Sequence, residues 1–565
     1  MTVPLSHRPQ DIDPNAATIP QNLYTTGDIS FHISRCRIQH AKICHHPSSI
    51  GDLLKYPAPV CHGQTKRLGD RPKARDPGLY PHLRVRSDPE AGTVVMDTAP
   101  VWRQPIARRW SHPLNTHDKQ SRVADFVADP RKAVWTLAVP MMTGMLIQTL
   151  YNITDMIFVG RLGGEQVAAL TFCMPISFFA IGITFGLGSG ATSAVARFIG
   201  ADDKASADNA AEHAILIGLC VGLVIVAAAL AYKESILGLL GAEGDVLALA
   251  IDYFTIVSPG FLFTILNVTF RSILSGEGDT RTPLLLQGSG TILNIILDPL
   301  FIFGLDMGIR GAATATVVSQ GMVLLAFLGY IFVRRGTYVE LHFGAFRPSA
   351  RIAGDILRVG LPASAGMVIM SVGSMFYNRI VSAFGADAVA GLGVGGRMDS
   401  VFFMPIFALA MSQVTLVGMF HGAGRVDLVR QTVVYTASRA ALFAVFVGGL
   451  YWVFAEQAAR VFTDEPAIIE VATQYIRTLC FAFPFISIGI ITGRVFQGLG
   501  RGMPGLLLTS LRVALISVPL AWVVTRVFGF GLQAVWVAFA VSGPIASTVA
   551  VIWVHYELRR LETAD

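Results

Sequence analysis

Twelve long apolar runs between residues 133 and 557 constrain what this chain can fold into. Each run has about 20 or more residues, the length of helix that crosses the ~30 Å hydrocarbon core of a bilayer. Only 15% of the 565 residues are charged and 53% are hydrophobic, whereas a soluble domain carries about 25% charge. The sequence therefore predicts an all-α polytopic membrane protein. The predicted spans are 133–160, 165–196, 211–232, 245–274, 283–304, 309–333, 355–384, 388–420, 431–454, 467–496, 503–527 and 531–556.

Residues 1–128 are a different kind of sequence, rich in Pro, His, Arg and Asp and without a long apolar run. We expect a disordered tail, or an over-extended start upstream of a true start such as Met96. Its Cys and His residues are of the types that bind zinc, but their spacing matches no zinc-finger pattern. We therefore expect no metal and no cofactor. The residues concerned are Cys36, His40, Cys44, His45, His46, Cys61 and His62.

The connections between the spans alternate in charge. Those after spans 2, 4, 6, 8 and 10 are basic, and the opposite ones hold several acids. By the positive-inside rule, both termini are cytoplasmic, and we expect a multi-pass monomer in the plasma (inner) membrane. These arginines explain the net charge of +6, so we expect no nucleic-acid partner. The basic residues are Arg197, Lys204, Arg281, Arg334, Arg335, Arg347, Arg351, Arg425, Arg430 and Arg501, and the acidic ones are Glu165, Glu234, Glu243, Asp306, Asp387, Asp464 and Glu465.

The two halves of the membrane region resemble each other at an offset of 222 residues. With six spans in each copy, both copies enter the membrane from the same side, so a pseudo-two-fold axis along the membrane normal relates them. The aligned segments are Arg161–Leu170 with Ala383–Leu392, Phe198–Ala201 with Phe420–Ala423, and Ser275–Gly278 with Gln497–Gly500. The predicted parts are a tail (1–128), a six-helix lobe (129–335), a cytoplasmic linker (336–354), a second six-helix lobe (355–558) and a short tail (559–565).

Isolated acids within the first-half spans are the most informative polar residues. An ionised Asp at membrane depth is costly and needs a partner or a function. Asn294 and Asp298 are four residues apart and share one helix face, and Asp155 lies in span 1. At the repeat offset Asp155 is opposite Tyr377. With a two-residue gap, Asn294 and Asp298 are opposite the apolar Ala514 and Val518. The acid pair therefore belongs to one lobe, which argues against a role in folding the repeat.

The rise per residue of a helix places Asp155, Asp298 and a third polar residue, Thr316, at a similar depth in the membrane. Asp155, Asp298 and Thr316 are each roughly 7–10 Å below the outer surface, so they can form one cluster. Oxygen ligands of this kind suit a proton or sodium, and two carboxylates in a dry site cannot both stay ionised at low cost. The candidate cation or proton ligands are Asp155, Asn294, Asp298, Thr316, Asn152 and Gln320.

Each assignment has a structural alternative. Asp298 before Pro299 could cap a half-helix, and Asp155 could pair with a neighbour simply to hold spans together. The polar uncharged residues could join helices without touching an ion. Pro140 in span 1 permits a bend that follows the charge of Asp155, or it is a tolerated membrane proline without a moving part.

Several short motifs lie along residues 130–558. They are Pro140, Tyr151-Asn152 with Asp155, Gly276-Glu277-Gly278-Asp279-Thr280-Arg281-Thr282-Pro283, Asn294 with Asp298, Gly311-Ala312-Ala313-Thr314-Ala315-Thr316, and Val417-Gly418 with Gly422-Ala423-Gly424-Arg425. By these motifs the chain resembles the MATE (multidrug and toxic compound extrusion) family over residues 130–558. Within the family it is similar to the DinF-type branch, because span 7 reads Met375-Phe376-Tyr377-Asn378 without the acid that other branches place there.

The resemblance implies two six-helix lobes around a V-shaped cavity and export of cationic or amphipathic organic compounds. It implies cation or proton binding at Asp155, Asn294, Asp298 and, less directly, Thr316. The chain has no Gly-Lys-Ser/Thr phosphate-binding loop, so we expect no ATPase and no enzyme but an antiporter driven by a proton or sodium gradient. Candidate cavity residues, for which ordinary packing is the alternative, are Met145, Phe178, Phe179, Tyr377, Arg397 and Met404.

A lipid-linked precursor flippase with the same two-lobe plan remains an alternative function. Such a protein needs several basic residues around its cavity to hold a pyrophosphate. Arg379 and Arg397 are the candidates in the first two spans of the second half.

Overall fold

A computed structural model describes residues 85–87, 94–96, 117–342, 344 and 346–563. In the N-terminal unit, β1 (Val85–Ser87) pairs with β2 (Val94–Met96) as an antiparallel ribbon in which Val85 is opposite Met96. The Cys and His residues of the tail, and the expectation that they bind no metal, lie outside the described residues. From His117 onward the described chain is helices and short connections.

The helices follow the predicted spans closely, and the chain is an all-α polytopic membrane protein. Eleven helices in the described chain are long and apolar enough to cross a membrane, and a twelfth span forms if the bent pair α11 and α12 counts as one. The helices are α1 (His117–Ala128), α2 (Pro130–Gly160), α3 (Gly164–Gly200), α4 (Lys204–Leu239), α5 (Gly244–Gly276), α6 (Arg281–Pro299), α7 (Gly308–Leu328), α8 (Ala350–Val381), α9 (Ala386–Gly422), α10 (Val426–Arg460), α11 (Pro466–Leu479), α12 (Phe483–Gly498), α13 (Met503–Ser510), α14 (Val518–Arg526) and α15 (Leu532–Glu562).

Two details differ from the sequence-based expectation. Span 10, predicted as one helix, bends by 62° between α11 and α12. Pro484 follows the break and has no N–H for the Cys480 carbonyl, so an unbroken helix would lack that hydrogen bond. At the end of the predicted tail, α1 is already helical. Its Arg122 pairs with Asp279 at 3.5 Å, and its Phe126 ring lies 2.7 Å from where a Cβ on Gly278 would be.

Contacts between the halves repeat with the 222-residue offset. The Ser193 hydroxyl on α3 donates to the Gln497 carbonyl, and the Thr415 hydroxyl on α9 donates to the Ser275 carbonyl. At the offset, Ser193 corresponds to Thr415 and Gln497 to Ser275. The same contact is therefore formed once from each lobe to the other, as a two-fold axis requires. The two-lobe fold with a pseudo-two-fold axis is therefore confirmed.

The ends of α3 and α9 cross closely at what we call the basic end of the bundle, the end that carries the basic connections. A Cβ on Gly200 would collide with the Met419 carbonyl, and one on Gly422 would collide with the Arg197 carbonyl. These two contacts are also equivalent at the offset. Nearby, Arg197 pairs with Asp355 of α8 at 3.5 Å. We call this set of contacts the inter-lobe seam.

The connection between α7 and α8 is held along the first lobe. Glu277 accepts hydrogen bonds from the Tyr338 and Val339 N–H groups at 3.1 and 2.9 Å. Glu212 accepts from the His342 N–H at 2.7 Å, and His213 Nε2 accepts from the Ser349 N–H at 2.9 Å. Side chains of α4 and of the turn after α5 thus take up backbone donors that a loop would otherwise give to water.

Candidate cation and proton site

The first lobe brings three predicted polar residues to adjoining helices. Asp155 lies near the end of α2, Asp298 near the end of α6, and Thr316 in the third turn of α7. Asp298 is fully buried and Asn294 is 3% exposed. The Asn294 Nδ2 donates to the Asp298 Oδ1 at 3.4 Å, so these two residues share one helix face as predicted.

A break in the regular helix follows Asp298. Pro299 has no N–H for the Ile295 carbonyl, and the next five residues, Leu300–Gly304, form a wider π-helical turn closed by the Leu305 N–H on the Leu300 carbonyl at 2.8 Å. Such turns are frequent at functional sites. The chain remains helical through Pro299, and among the described residues the Asp298 carboxylate accepts its one hydrogen bond from Asn294. The carboxylate therefore does not cap a half-helix here.

The start of α7 packs directly on this turn. A Cβ on Gly311 would lie 2.6 Å from the Phe301 carbonyl oxygen. Only glycine allows α7 to approach that closely, and this approach sets the distance between Thr316 and the end of α6.

The acids converge with two tyrosines. Asp155 and Asp298 are close enough to interact electrostatically, and both also interact with Tyr151 and Tyr253. The Tyr151 hydroxyl lies beside the Thr316 hydroxyl. The site therefore joins residues from α2, α5, α6 and α7.

Two predicted ligands point elsewhere. Gln320 Oε1 accepts a hydrogen bond from Thr264 of α5 at 2.9 Å. Asn152 is exposed and accepts from Gln148, one turn earlier on α2, at 3.3 Å. In this conformation neither side chain is brought to the buried Asn294–Asp298 pair.

Unsatisfied oxygens mark the centre of the site. Asp298 Oδ2 and Asn294 Oδ1 are buried and have no hydrogen-bond partner in the described chain. Buried polar atoms are almost always paired. A proton on Asp298 Oδ2 would make that oxygen a hydrogen-bond donor. A sodium ion could instead be coordinated by Asp298 Oδ2 and Asn294 Oδ1, because both are hard oxygen ligands. The donor set thus fits either coupling ion.

The sequence did not lead us to place Tyr151 or Tyr253 in the cation site, although Tyr151 belongs to a segment that carries the family resemblance. A signal for each was present, since Tyr151 is four residues before Asp155 and so lies on the same face of α2. Tyr253 recurs as Tyr475 at the 222-residue offset. Hydroxyls at these positions are neutral hydrogen-bonding groups near the two carboxylates.

The equivalent place in the second lobe is built differently. Tyr377 stands where Asp155 stands in the first lobe; it is 6% exposed and bonds to the Ser517 hydroxyl at 2.6 Å. Its ring packs edge-on against Phe539, so it lies inside the lobe in this conformation, although it was predicted to line the substrate cavity. This lobe holds one acid nearby, Asp399, whose Oδ2 accepts from the Tyr475 hydroxyl at 2.6 Å.

The other predicted cavity residues are more accessible. Phe178 and Phe179 of α3 are 63% and 56% exposed. Arg397 is exposed, while Met145 and Met404 are half-buried. These residues keep their predicted role as candidates.

Comparison with known proteins gives the same division of the chain into two lobes. The MatE family model matches residues 140–300 and 362–523, one segment in each lobe. A Thermotoga maritima protein named probable multidrug resistance protein NorM is 27% identical over 431 residues, covering 76% of this chain and 92% of its own.

Solved structures give the same result. A MOP superfamily transporter from Pyrococcus furiosus, whose title reports a reverse polarity of the binding pocket, is 34% identical with a TM-score of 0.74 and covers 77% of this chain and 97% of its own. A structure titled MATE in the bent conformation has 34% identity, a TM-score of 0.75 and the same coverage. With more than half of the sequence matched by the family model and two lobes of the same fold, the chain is a member of the MATE family of transporters.

Proposed function

We propose that this protein is a secondary antiporter that exports amphipathic or cationic organic compounds in exchange for protons or sodium. Membership of the family makes it a multi-pass membrane transporter rather than an enzyme, and its relatives are named as multidrug transporters. The observation that carries the coupling is the Asp155–Asp298 pair, with buried oxygens on Asp298 and Asn294 that lack a partner.

The pair acts as a charge switch in this proposal. Two carboxylates in a site with few donors repel each other, so uptake of a proton or sodium from outside removes an unfavourable charge. The loss of repulsion lets the ends of α2 and α6 approach, and the Tyr151 and Thr316 hydroxyls rearrange with them. Antiport requires that the substrate binds the two arrangements with different affinity, so this change must reach the cavity.

Pro140 is the proposed bending point of α2. It lies inside the helix, where a missing N–H weakens the ladder and permits a kink. A solved relative is titled as the bent conformation and another as the straight conformation. Pro362 occupies the equivalent position in α8. The bend therefore belongs to the repeat, while the acid that drives it belongs to α2 alone.

The inter-lobe seam supports an outward-open state. The backbones of α3 and α9 approach each other closely at Gly200 and Gly422, at the basic end, which we propose faces the cytoplasm together with both termini. At the other half of α3, Phe178 and Phe179 are exposed. A cavity between the lobes would then open outward, and release of the substrate would follow uptake of the ion.

Efflux measurements test the proposal. In everted vesicles, export of a cationic dye should collapse with a protonophore, or depend on sodium, and Asp298→Asn should abolish it. Asp245→Asn, which removes an exposed carboxylate in the first turn of α5 in the same lobe, is the matched control and should export normally. Efflux that survives Asp298→Asn would refute the assignment of the coupling site.

Arginines within the helices favour a second candidate, a flippase for a phosphate-bearing amphiphile. Arg271 of α5 and Arg494 of α12 are half-buried. Among the described residues neither forms an ion pair; Arg271 lies over the Phe185 ring and Arg494 bonds to Gln497. An unpaired intramembrane arginine suggests an anionic ligand. Vesicles that translocate an anionic fluorescent lipid, but no cationic dye, would favour this candidate.

A further inference from the structure

A groove of about 310 Å³ runs between α2 and α6 on the outer surface of the bundle at its basic end. Its lining changes along its length. Arg281, the first residue of α6, and Trp135, in the second turn of α2, stand at the end of the helices. The deeper walls are Val139 and Pro140 of α2 and Leu284 and Leu285 of α6.

The helical rise converts this order into depth. Leu284 and Leu285 lie about 5–6 Å further into the membrane than Arg281, and Val139 lies about 14 Å beyond the start of α2. The groove is therefore basic and aromatic at the level of the lipid headgroups and apolar below it. Tryptophan and tyrosine favour that interfacial level, and arginine reaches it with its charged end.

Two further arginines, Arg131 and Arg439, lie next to the groove around Tyr435, which is hydrogen-bonded to Trp135 of the groove wall. The Trp135 Nε1 donates to the Tyr435 hydroxyl of α10 at 3.1 Å. Arg131 of α2 and Arg439 of α10 both lie over the Tyr435 ring, 5.6 and 5.2 Å from its centroid. Two guanidinium groups from the two lobes thus share one ring.

The three arginines carry charge that the protein does not neutralise. In the part of the chain that the structure describes, Arg131, Arg281 and Arg439 form no ion pair. All three are exposed. Like charges held together at one surface attract an anion, and each basic residue near a membrane surface strengthens binding to anionic lipid about fivefold.

We propose that this groove, with Arg131 and Arg439 at its edge, binds one anionic phospholipid. The phosphate would contact Arg281 and Arg131, and an acyl chain would lie on Val139, Leu284 and Leu285. Free phosphate would leave the apolar walls uncovered, and a zwitterionic lipid would leave the arginines without a net counter-charge. The proposal is independent of what the protein transports.

Lipid retention tests the proposal directly. The full-length protein is placed in nanodiscs with equal amounts of palmitoyl-oleoyl phosphatidylglycerol and phosphatidylcholine, transferred to mild detergent, and analysed by native mass spectrometry. The unchanged protein should retain phosphatidylglycerol preferentially. In the double variant Arg131→Gln with Arg281→Gln, the preference should fall about 25-fold, because each arginine strengthens binding about fivefold.

The control removes the same charge from the same end of the bundle. Arg559→Gln with Arg560→Gln changes two exposed arginines in the last turn of α15 and should keep the preference. An equal loss in this control, or none in the double variant, would overturn the proposal.

A third variant separates the acyl chain from the charge. Leu285→Trp fills the groove and leaves every arginine in place, so it should reduce the number of phosphatidylglycerol molecules retained. Unchanged retention would refute binding in the groove. Displacement of the retained lipid by millimolar inorganic phosphate would assign the arginines to a free anion and overturn the lipid assignment.

Discussion

The inter-lobe seam allows a sharp test of how the lobes separate. Gly422→Ala adds one methyl group to the end of α9. The new Cβ would lie 2.9 Å from the Ala201 nitrogen and 3.0 Å from the Arg197 carbonyl carbon. Both are backbone atoms of the other lobe, so no side-chain rotation relieves the overlap. The new Cβ also collides with the Arg197 carbonyl oxygen, so either the helices shift or the lobes move apart at the basic end.

The size of the effect follows from the cost of overpacking. Inserting a methyl group into a close-packed contact typically costs 1–3 kcal/mol. That strain is present only while the seam is closed, so the equilibrium should move about 5- to 150-fold toward the state open at the basic end. Gly393→Ala is the control, because it lies in the same helix with no atom within 4 Å of the added Cβ.

Double electron–electron resonance, which measures the distribution of distances between two spin labels, reports the shift in the conformational equilibrium. Labels at Ala205 and Asp427 sit on the first turns of α4 and α10, are exposed, and are equivalent at the 222-residue offset. The native cysteines are replaced first. The long-distance population should rise in Gly422→Ala and stay unchanged in Gly393→Ala.

Symmetry supplies a second check. Gly200→Ala creates the equivalent overlap with the Met419 carbonyl, and it should produce the same shift. The two overlaps are neighbours, because the Gly422 Cβ also meets the Ala201 nitrogen. A shift that relieves one should therefore relieve part of the other, and the double variant should show less than the sum of the two free energies. A lower melting temperature without any change in distance, in either single variant, would refute the idea that the seam contacts hold one conformational state.

Three further predictions concern single contacts. Tyr475→Phe removes the hydroxyl that donates to Asp399; an unpaired buried acceptor costs about 1–3 kcal/mol, so the melting temperature should fall, and Tyr451→Phe, which removes a bond to a backbone carbonyl, should lower it less. Gly311→Ala should displace the π-helical turn after Asp298, because its Cβ meets the Phe301 carbonyl; ion-dependent dye efflux should drop in a protein that is still folded, and normal efflux would contradict this. Glu277→Ala removes an acceptor of two backbone N–H groups in the α7–α8 connection, so limited proteolysis there should quicken, whereas equal cleavage rates would show that other contacts hold the connection.

The membrane spans and the two-lobe plan, which recur along the sequence, could be predicted well from it. Apolar length fixes each span, because a helix must satisfy its backbone inside the bilayer, and the 222-residue offset fixes the two-lobe plan. The shared face of Asn294 and Asp298 follows from four-residue spacing alone. These features depend on local periodicity, which a single sequence displays.

Features that depend on contacts between helices were not accessible in the same way. The direction of Gln320 is decided by Thr264 on α5, a partner 56 positions earlier in the chain. The bend before α12 and the π-helical turn after Asp298 both lie at a proline that the sequence displays. A proline alone does not predict the outcome, because α2 continues through Pro140 as one helix. Tyr253 reaches the site from α5, which packs chiefly against α3, α4 and α7, and no local pattern predicts these contacts between helices.

The anchoring of α8 has a consequence for the motion between the lobes. Its beginning is tied to the first lobe, through the Ser349 N–H on His213 and through Asp355 on Arg197. Its far end is tied to the second lobe, through Tyr377 on Ser517. One continuous helix therefore belongs to both bodies, and rocking must either flex it or detach one end. First-lobe hydrogen bonds extend past Pro362 as far as Ser364, whose hydroxyl donates to the Ile183 carbonyl at 3.2 Å. We therefore expect any rocking of the lobes to strain the membrane part of α8 between Ser364 and Tyr377.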